Sequence, residues 1–174
     1  MAPIDHASAE LLVFTYREGP LSVLGHDLML QVTRFEVRVT PGTRAVEARF
    51  DASSLRVVAG SHGGALRDDA FDEGDRRKIE RVIRDEVLHA DQHPSILFRS
   101  TDVTRAGTGH DVTGELTLHG VTRTIRLRSH LEGGRQTAEV TLLQPDYGIR
   151  PYTALLGGVR VKPGVRVRVR MQAP

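Results

Sequence analysis

The sequence predicts an all-β fold built on an antiparallel sheet, with one amphipathic helix packed at its end or side. Three observations predict this class. Apolar and polar residues alternate along many short segments, glycine and proline pairs separate those segments, and one segment has helical spacing instead. At 174 residues the chain has the usual length of one domain, so we expect a single unit spanning 1–174.

The clearest alternation lies near the C-terminus, where Val165, Val167 and Val169 alternate with Arg166 and Arg168. A strand presents successive side chains to opposite faces, so this segment places aliphatic groups on a core and guanidinium groups in water. The same alternation recurs in the segments 11–16, 34–39, 46–51, 96–101, 112–118, 124–128 and 140–142.

Turn residues stand between these segments. Pro41-Gly42, His119-Gly120 and Gly133-Gly134 are examples, and short turns between alternating strands are typical of an antiparallel sheet. Closing such a sheet into a barrel removes open edges that would invite aggregation. A β-sandwich fits the alternation equally well, so the pattern alone leaves both architectures open.

The segment 75–90 departs from the alternation. Its apolar residues recur at steps of three and four, which predicts an amphipathic helix with Asp75 as its N-cap or first-turn acid. We expect this helix to cover an open end or a face of the sheet. The preceding stretch, 61–74, is polar and rich in glycine, and it is predicted to be a long surface loop or lid.

Composition argues against several classes of partner. Lys and Arg number 24 and Asp and Glu 22, and aromatic residues make up only 5% of the chain, with no tryptophan. A nearly balanced charge and few stacking rings predict no nucleic-acid partner. The absence of cysteine excludes disulfides, thiol catalysis and iron–sulfur sites.

The N-terminal residues predict a cytoplasmic protein. Asp5 and Glu10 interrupt this stretch, and no basic segment followed by an apolar run marks an export signal. Nor does any run approach the length needed to span a bilayer, so we expect no integral membrane association. A closed barrel can still form a homodimer through an outer patch, and we keep that expectation open.

Eight histidines raise the question of a metal site. His89 and His93 are four residues apart, which on a continuous helix would place both on one face. Pro94 follows directly and drives the residue before it out of the helical region, so the pair is expected to straddle a helix end. The sequence therefore predicts a solvated connection here and no metal.

Catalytic motifs are absent from the sequence. His26-Asp27 could pair across a turn, yet no nucleophile elbow, phosphate loop, dinucleotide fingerprint or H-E-x-x-H pattern accompanies it. We expect these two residues to make structural hydrogen bonds at a strand junction, and His119 to serve a tight turn. The sequence thus predicts neither an enzyme nor a cofactor.

Three blocks of sequence resemble a known family. The segment 114–123, G-E-L-T-L-H-G-V-T-R, resembles a signature of YceI-like proteins, and 93–100 and 146–149 are similar to two further elements of that family. Their order and spacing hold over about residues 9–171. The resemblance implies a lipocalin-like antiparallel barrel with a helix near it, and an interior that binds a polyisoprenoid, an isoprenoid quinone or a fatty-acid-like lipid.

The candidate ligand-binding residues follow from the apolar faces of the strands. Those expected to line the interior are Phe35, Val37, Ile96, Phe98, Leu116, Leu118, Ile125, Leu127, Val140, Leu142, Val167 and Val169. Tyr147, Tyr152 and His26 are expected at a polar mouth, where they could bind a head group. Two alternatives stay open: a filled barrel that acts as a structural or protein-interaction module, and a histidine-based metal protein or enzyme.

Overall fold

The structure, a computed structural model, describes residues 4–5, 7–21, 25–62 and 65–172. Its strands are β1 (Ile4–Asp5), β2 (Ala9–Thr15), β3 (Arg17–Glu18), β4 (Leu28–Val32), β5 (Phe35–Val39), β6 (Val46–Asp51), β7 (Leu55–His62), β8 (Ala65–Arg67), β9 (Ser95–Ala106), β10 (Gly109–Leu118), β11 (Val121–Glu132), β12 (Arg135–Leu143), β13 (Thr153–Ala154), β14 (Val159–Val161) and β15 (Gly164–Gln172). One helix, α1 (Glu73–Val82), continues into a π-helical turn at Ile83–Val87. Short 3₁₀ turns lie at Ala52–Ser54, Asp68–Ala70, Gln144–Tyr147 and Leu155–Gly157.

Twelve strands form one antiparallel sheet in the order β1-β5-β6-β9-β10-β11-β12-β15-β2-β4-β7-β8, while β13, β14 and β3 form a small second sheet. The strands β5 and β6 pair with each other, and so do β4 and β7. Because β4 runs directly into β5 and β6 into β7, these four strands are two halves of one bent hairpin. The hairpin contacts β9 through β6 and β2 through β4, so it joins the two outer strands of the run β9-β10-β11-β12-β15-β2. The sheet therefore curls into a barrel, and the sandwich alternative is wrong.

The bend in this hairpin keeps its backbone hydrogen-bonded. The amide of Asp51 donates to the carbonyl of Arg34 at 3.0 Å, and the amide of Thr33 donates to the carbonyl of Ser54 at 3.1 Å. The hydroxyl of Ser54, which is fully buried, accepts from the amide of Arg34 at 3.1 Å. A buried serine thus replaces the ladder bonds that the bend removes, because unpaired buried backbone groups are costly.

The helix starts earlier than the sequence spacing predicts. Asp72 is its N-cap and accepts from the amide of Asp75 at 2.8 Å, so Asp75 is a first-turn acid. The segment 61–74 also has more regular secondary structure than the predicted loop, since it contains the end of β7, all of β8 and a 3₁₀ turn. Gly63 and Gly64 of that segment lie outside the described residues.

The helix packs along the edge of β7 that faces away from β4, where no described strand pairs with Val57 and Val58. The guanidinium of Arg76 donates to the carbonyls of Val57 at 2.8 Å and Val58 at 3.2 Å. The carboxylate of Glu80 accepts from the amide of Val57 at 2.9 Å. Two charged side chains thereby bind the free backbone groups of a strand edge, which would otherwise be unpaired beneath the helix.

The outer arginines of β15 are less solvated than alternation predicts. The guanidinium carbons of Arg166 and Arg168 lie 4.7 and 5.3 Å from the ring centroid of Phe14, on the outer face of β2. Phe14 is 7% exposed as a result. An arginine side chain can cover apolar surface with its stem while its charged group stacks on an aromatic ring. The arginines of β15 therefore shield an apolar side chain on the outside of the barrel from water.

Candidate ligand-binding cavity

The barrel is hollow. Its interior holds one cavity of about 1070 Å³, bounded by the inward faces of the strands and by the helix. Small-molecule sites commonly measure about 300–1,000 Å³, so this volume lies just above that range. The space is large enough for a long chain and is not an imperfection of core packing, since native interiors leave few voids larger than a water molecule.

The structure brings nearly all of the predicted site residues to the cavity wall. Those that line it are Phe35, Val37, Ile96, Phe98, Leu116, Leu118, Ile125, Leu127, Val140, Leu142, Val167, Val169, Tyr152 and His26. Tyr147 is the exception, because it lies in the 3₁₀ turn at Gln144–Tyr147, is 2% exposed and is not among the lining residues. The expectation that Tyr147 stands at the mouth is wrong.

The helix supplies a part of the wall that the sequence did not reveal. Ile79, Val82, Ile83 and Val87 line the cavity, and their spacing of three and four residues is the apolar stripe of the helix. The stripe predicts that this face of the helix is buried. Only the three-dimensional structure shows that the face borders the cavity. Further lining residues come from β2 and β4, chiefly Leu11, Val13, Leu28, Leu30 and Val32.

Polar residues lie at both ends of the cavity. The hairpin end, beside the turns at 40–45, 107–108 and 133–134, is lined by Arg44, Arg105, Thr108, His110 and Gln136. The helix end, beside the small second sheet, is lined by Arg17, His26, Lys78, Tyr152 and Arg160. The middle is apolar, so the cavity suits a molecule with a long apolar body and a polar terminus.

The charge of the wall has one sign. Its formally charged side chains are Arg17, Arg44, Lys78, Arg105 and Arg160, and no aspartate or glutamate of the described chain lines it. Acids do lie beside some of these cations without lining the cavity, with Glu18 at 3.5 Å from Arg160 and Asp75 at 3.7 Å from Lys78. Cations at both openings favour an anionic or neutral polar group over a cationic one.

His26 and Asp27 organise the helix end. His26 donates from Nδ1 to the carbonyl of Ser61 at 2.6 Å, and its ring meets Phe71 edge-on at 4.9 Å. Asp27 accepts from the amide of Arg17 at 2.8 Å, and the Arg17 guanidinium donates to the hydroxyl of Ser61 at 3.0 Å. These bonds join β3 and β7 to the two residues that precede β4, which is the structural role expected of this pair.

Three histidines gather where the helix connection meets the β10–β11 turn. His119 donates from Nδ1 to the carbonyl of Tyr147 at 3.2 Å, so its Nε2 is the acceptor for His89 Nδ1 at 3.3 Å. The ring of His93 lies 4.5 Å from that of His119. Among the described residues no set of three or more histidines or carboxylates has an arrangement that could hold a metal ion.

Acidification is expected to destabilise the protein through His119. Burial lowers the pKa of this imidazole below its usual value, and the hydrogen bond to Tyr147 only partly opposes that effect. Below about pH 6.5 the unfolded chain therefore binds more protons than the folded one, so the free energy of unfolding falls as the pH drops through that range.

Urea unfolding at about pH 7.5 and about pH 5.5 measures this effect. We expect a smaller drop in midpoint for His119→Asn than for the wild type. Asparagine is the matched replacement, because position 119 has a φ of 52° and asparagine tolerates that left-handed conformation. An equal drop in both proteins would show that His119 does not carry the pH dependence.

Comparisons with known proteins agree with this architecture. The model of the YceI-like domain matches residues 6–173. UPF0312 proteins of Pectobacterium atrosepticum and Pectobacterium carotovorum are each 44% identical over 48 residues, which is 28% of this chain and only 25% of each relative's length.

Two solved structures share the fold. Burkholderia cenocepacia BcnA has a TM-score of 0.65 at 17% identity and covers 98% of this chain and 99% of its own. A polyisoprenoid binding domain from Saccharophagus degradans has a TM-score of 0.61 at 14% identity, with coverages of 99% and 97%. At these identities the likeness establishes the fold, a lipocalin-like antiparallel barrel with one helix. No helix in the described part of the chain is both long and apolar enough to cross a membrane.

Proposed function

Because the chain belongs to the YceI-like family, we propose that it binds a long-chain apolar ligand inside its β-barrel and acts as a binding protein, not as an enzyme. The predominantly apolar cavity of about 1070 Å³ carries this proposal. Each methylene that leaves water for such a wall contributes about 0.8 kcal/mol, so a long tail gains enough without a charged anchor. The polyisoprenoid binding domain of similar fold supports the same ligand class.

The ligand is a polyisoprenoid, an isoprenoid quinone or a fatty-acid-like lipid. The exclusively basic charge of the wall favours members with an acidic or neutral head group. Among amphiphiles of equal chain length, we expect a carboxylate to bind more tightly than an amine. Isothermal titration of the delipidated protein with both compounds makes this comparison, and equal affinities would remove the head-group argument.

Native mass spectrometry of the purified protein, followed by solvent extraction, tests the proposal. We expect an adduct at one equivalent whose extracted mass is that of a long-chain lipid. If no lipid is extracted, and the delipidated protein then binds neither prenols, quinones nor fatty acids, the proposal fails and a structural or protein-interaction module replaces it. The cytoplasmic location and the homodimer remain predictions from sequence.

A further inference from the structure

A cluster of exposed leucines stands at the helix end of the cavity. Leu156 is fully exposed at 109%, Leu155 is 56% exposed, and Leu21 is 42% exposed. Leu21 joins the other two because its amide donates to the carbonyl of Gly158 at 2.9 Å. Single exposed leucines are ordinary, but adjacent ones in an exposed turn form a surface suited to an apolar partner.

The backbone holds these leucines in an unfavourable conformation. Leu155 and Leu156 have φ values of 51° and 54°, in the left-handed region that leucine rarely adopts. Asparagine or glycine would meet the same turn geometry with less strain. A strained pair of leucines that stays largely exposed to solvent indicates a role outside the chain, because such strain gathers at functional segments.

Charge is segregated around the same leucines. We define the mouth loop as residues 150–162, which contain Arg150, Arg160 and Lys162 and no acidic residue. Arg160 lies 3.5 Å from Glu18, whereas no ion pair engages Arg150 or Lys162 among the described residues. The near balance of charge over the whole chain therefore conceals a local excess of cations beside exposed apolar side chains.

The mouth loop also borders the cavity. Tyr152, Ala154, Val159 and Val161 line the cavity wall, and the leucines lie between them in the chain. Leu155 and Leu156 do not line the wall and are exposed to solvent instead. An exposed apolar turn within a basic loop, at the opening of an apolar cavity, has the composition of a peripheral membrane anchor.

We propose that the mouth loop docks the helix end of the barrel onto the surface of an anionic lipid bilayer. Leu155 and Leu156 enter the interface between head groups and chains, while Arg150 and Lys162 contact anionic head groups. The ligand then moves between bilayer and cavity without exposing its tail to water. This inference rests on the proposed function, because it gives the route by which the apolar ligand enters.

Vesicle flotation of the whole protein tests the docking. Vesicles contain either phosphatidylcholine alone or phosphatidylcholine with phosphatidylglycerol, at low and high salt. We expect binding to the anionic vesicles that weakens as salt rises, because the head-group contacts are screened. Absence of binding to anionic vesicles at low salt overturns the proposal, and so does equal binding to both vesicle types.

Substitutions separate the two parts of the contact. Leu155→Asn/Leu156→Asn should weaken binding at least about tenfold, since it removes two inserted side chains. Asparagine suits the left-handed turn, so the thermal midpoint should not fall. Leu97→Asn, which removes an equally apolar side chain, 45% exposed, from the outer face of β9, is the matched control and should bind as the wild type does.

The charged pair has its own control. Arg150→Gln/Lys162→Gln should weaken binding to anionic vesicles by about fivefold for each charge removed. Arg99→Gln/Arg126→Gln removes the same charge from exposed positions of β9 and β11 and should have little effect. If the two double variants lose affinity equally, the contact is nonspecific and the mouth loop is not the docking surface.

Native mass spectrometry of the same samples distinguishes this inference from the proposed function. None of the four substituted mouth-loop positions lines the cavity, so each variant should retain its lipid. A wild-type protein that carries lipid but does not float with vesicles overturns the docking and leaves the ligand-binding function standing. A protein that floats but never carries or accepts lipid overturns the proposed function.

Discussion

Val140→Trp is expected to abolish ligand binding while leaving the barrel folded. Val140 lies midway along β12, faces the cavity and pairs with Val167, whose other neighbour is Val13 of β2. An indole presents about 200 Å² of surface. Displacing that much tail contact at about 25 cal/mol per Å² costs roughly 5 kcal/mol, so we expect at least a hundredfold loss of affinity.

The substitution also supplies its own probe. The chain contains no tryptophan, so emission at position 140 reports on the cavity alone. Thr141→Trp is the matched control, because Thr141 is exposed on the opposite face of the same strand. It should keep its lipid and emit as a solvated indole. A Val140→Trp protein that co-purifies with a full equivalent of lipid would contradict a ligand in the middle of the barrel.

Arg76→Ala is expected to lower the free energy of unfolding by about 3 kcal/mol, because hydrogen bonds to a charged group are worth about 1.5–3 kcal/mol and their loss leaves buried carbonyls unpaired. Arg76 joins α1 to Val57 and Val58 of β7, and it also donates to the carbonyl of Asp68. On this edge of β7 no strand of the described chain pairs with Val57 and Val58, so no other backbone groups can take over these hydrogen bonds. Loosening of the helix should also open the cavity wall that Ile79 and Ile83 form.

Arg77→Ala provides the comparison. Arg77 points into solvent and pairs with Glu73 one turn earlier at 2.8 Å. Exposed pairs at this spacing contribute about 0.3–0.5 kcal/mol, so the control should lose little stability. Urea unfolding followed by circular dichroism measures both variants. Equal losses from Arg76→Ala and Arg77→Ala would show that the helix does not depend on its contact with β7.

Alternation along the strands was sufficient to predict most of the wall. In β12 and β15 most inward positions are apolar and most outward ones are polar or charged, so period two assigns Val140, Leu142, Val167 and Val169 to the interior. The same alternation did not predict the inward residues of β4 and β7. Met29 and Val58 interrupt their alternation with apolar residues on the other face, and a bulge shifts their register between Met29 and Leu30.

Tyr147 shows the limit of reading a site from composition. An aromatic residue with a hydroxyl in a loop predicts a polar mouth, but the 3₁₀ turn folds this ring inward, and burial raises the pKa of its phenol. Its carbonyl accepts from His119, so its position depends on a contact 28 residues away along the chain. No local pattern encodes such a contact.

The strands, the helix and the apolar inner face of the barrel were therefore present in the sequence, since each depends on the spacing of neighbouring residues. The family resemblance of 114–123 added the closed barrel and the ligand class. Tertiary structure alone shows that the interior is hollow, because a cavity depends on how far apart the walls stand. It also shows that the helical stripe of Ile79 and Val82 faces that space and that the cations gather at its openings. These features depend on distances between segments that are far apart in the sequence, and no local periodicity encodes such distances.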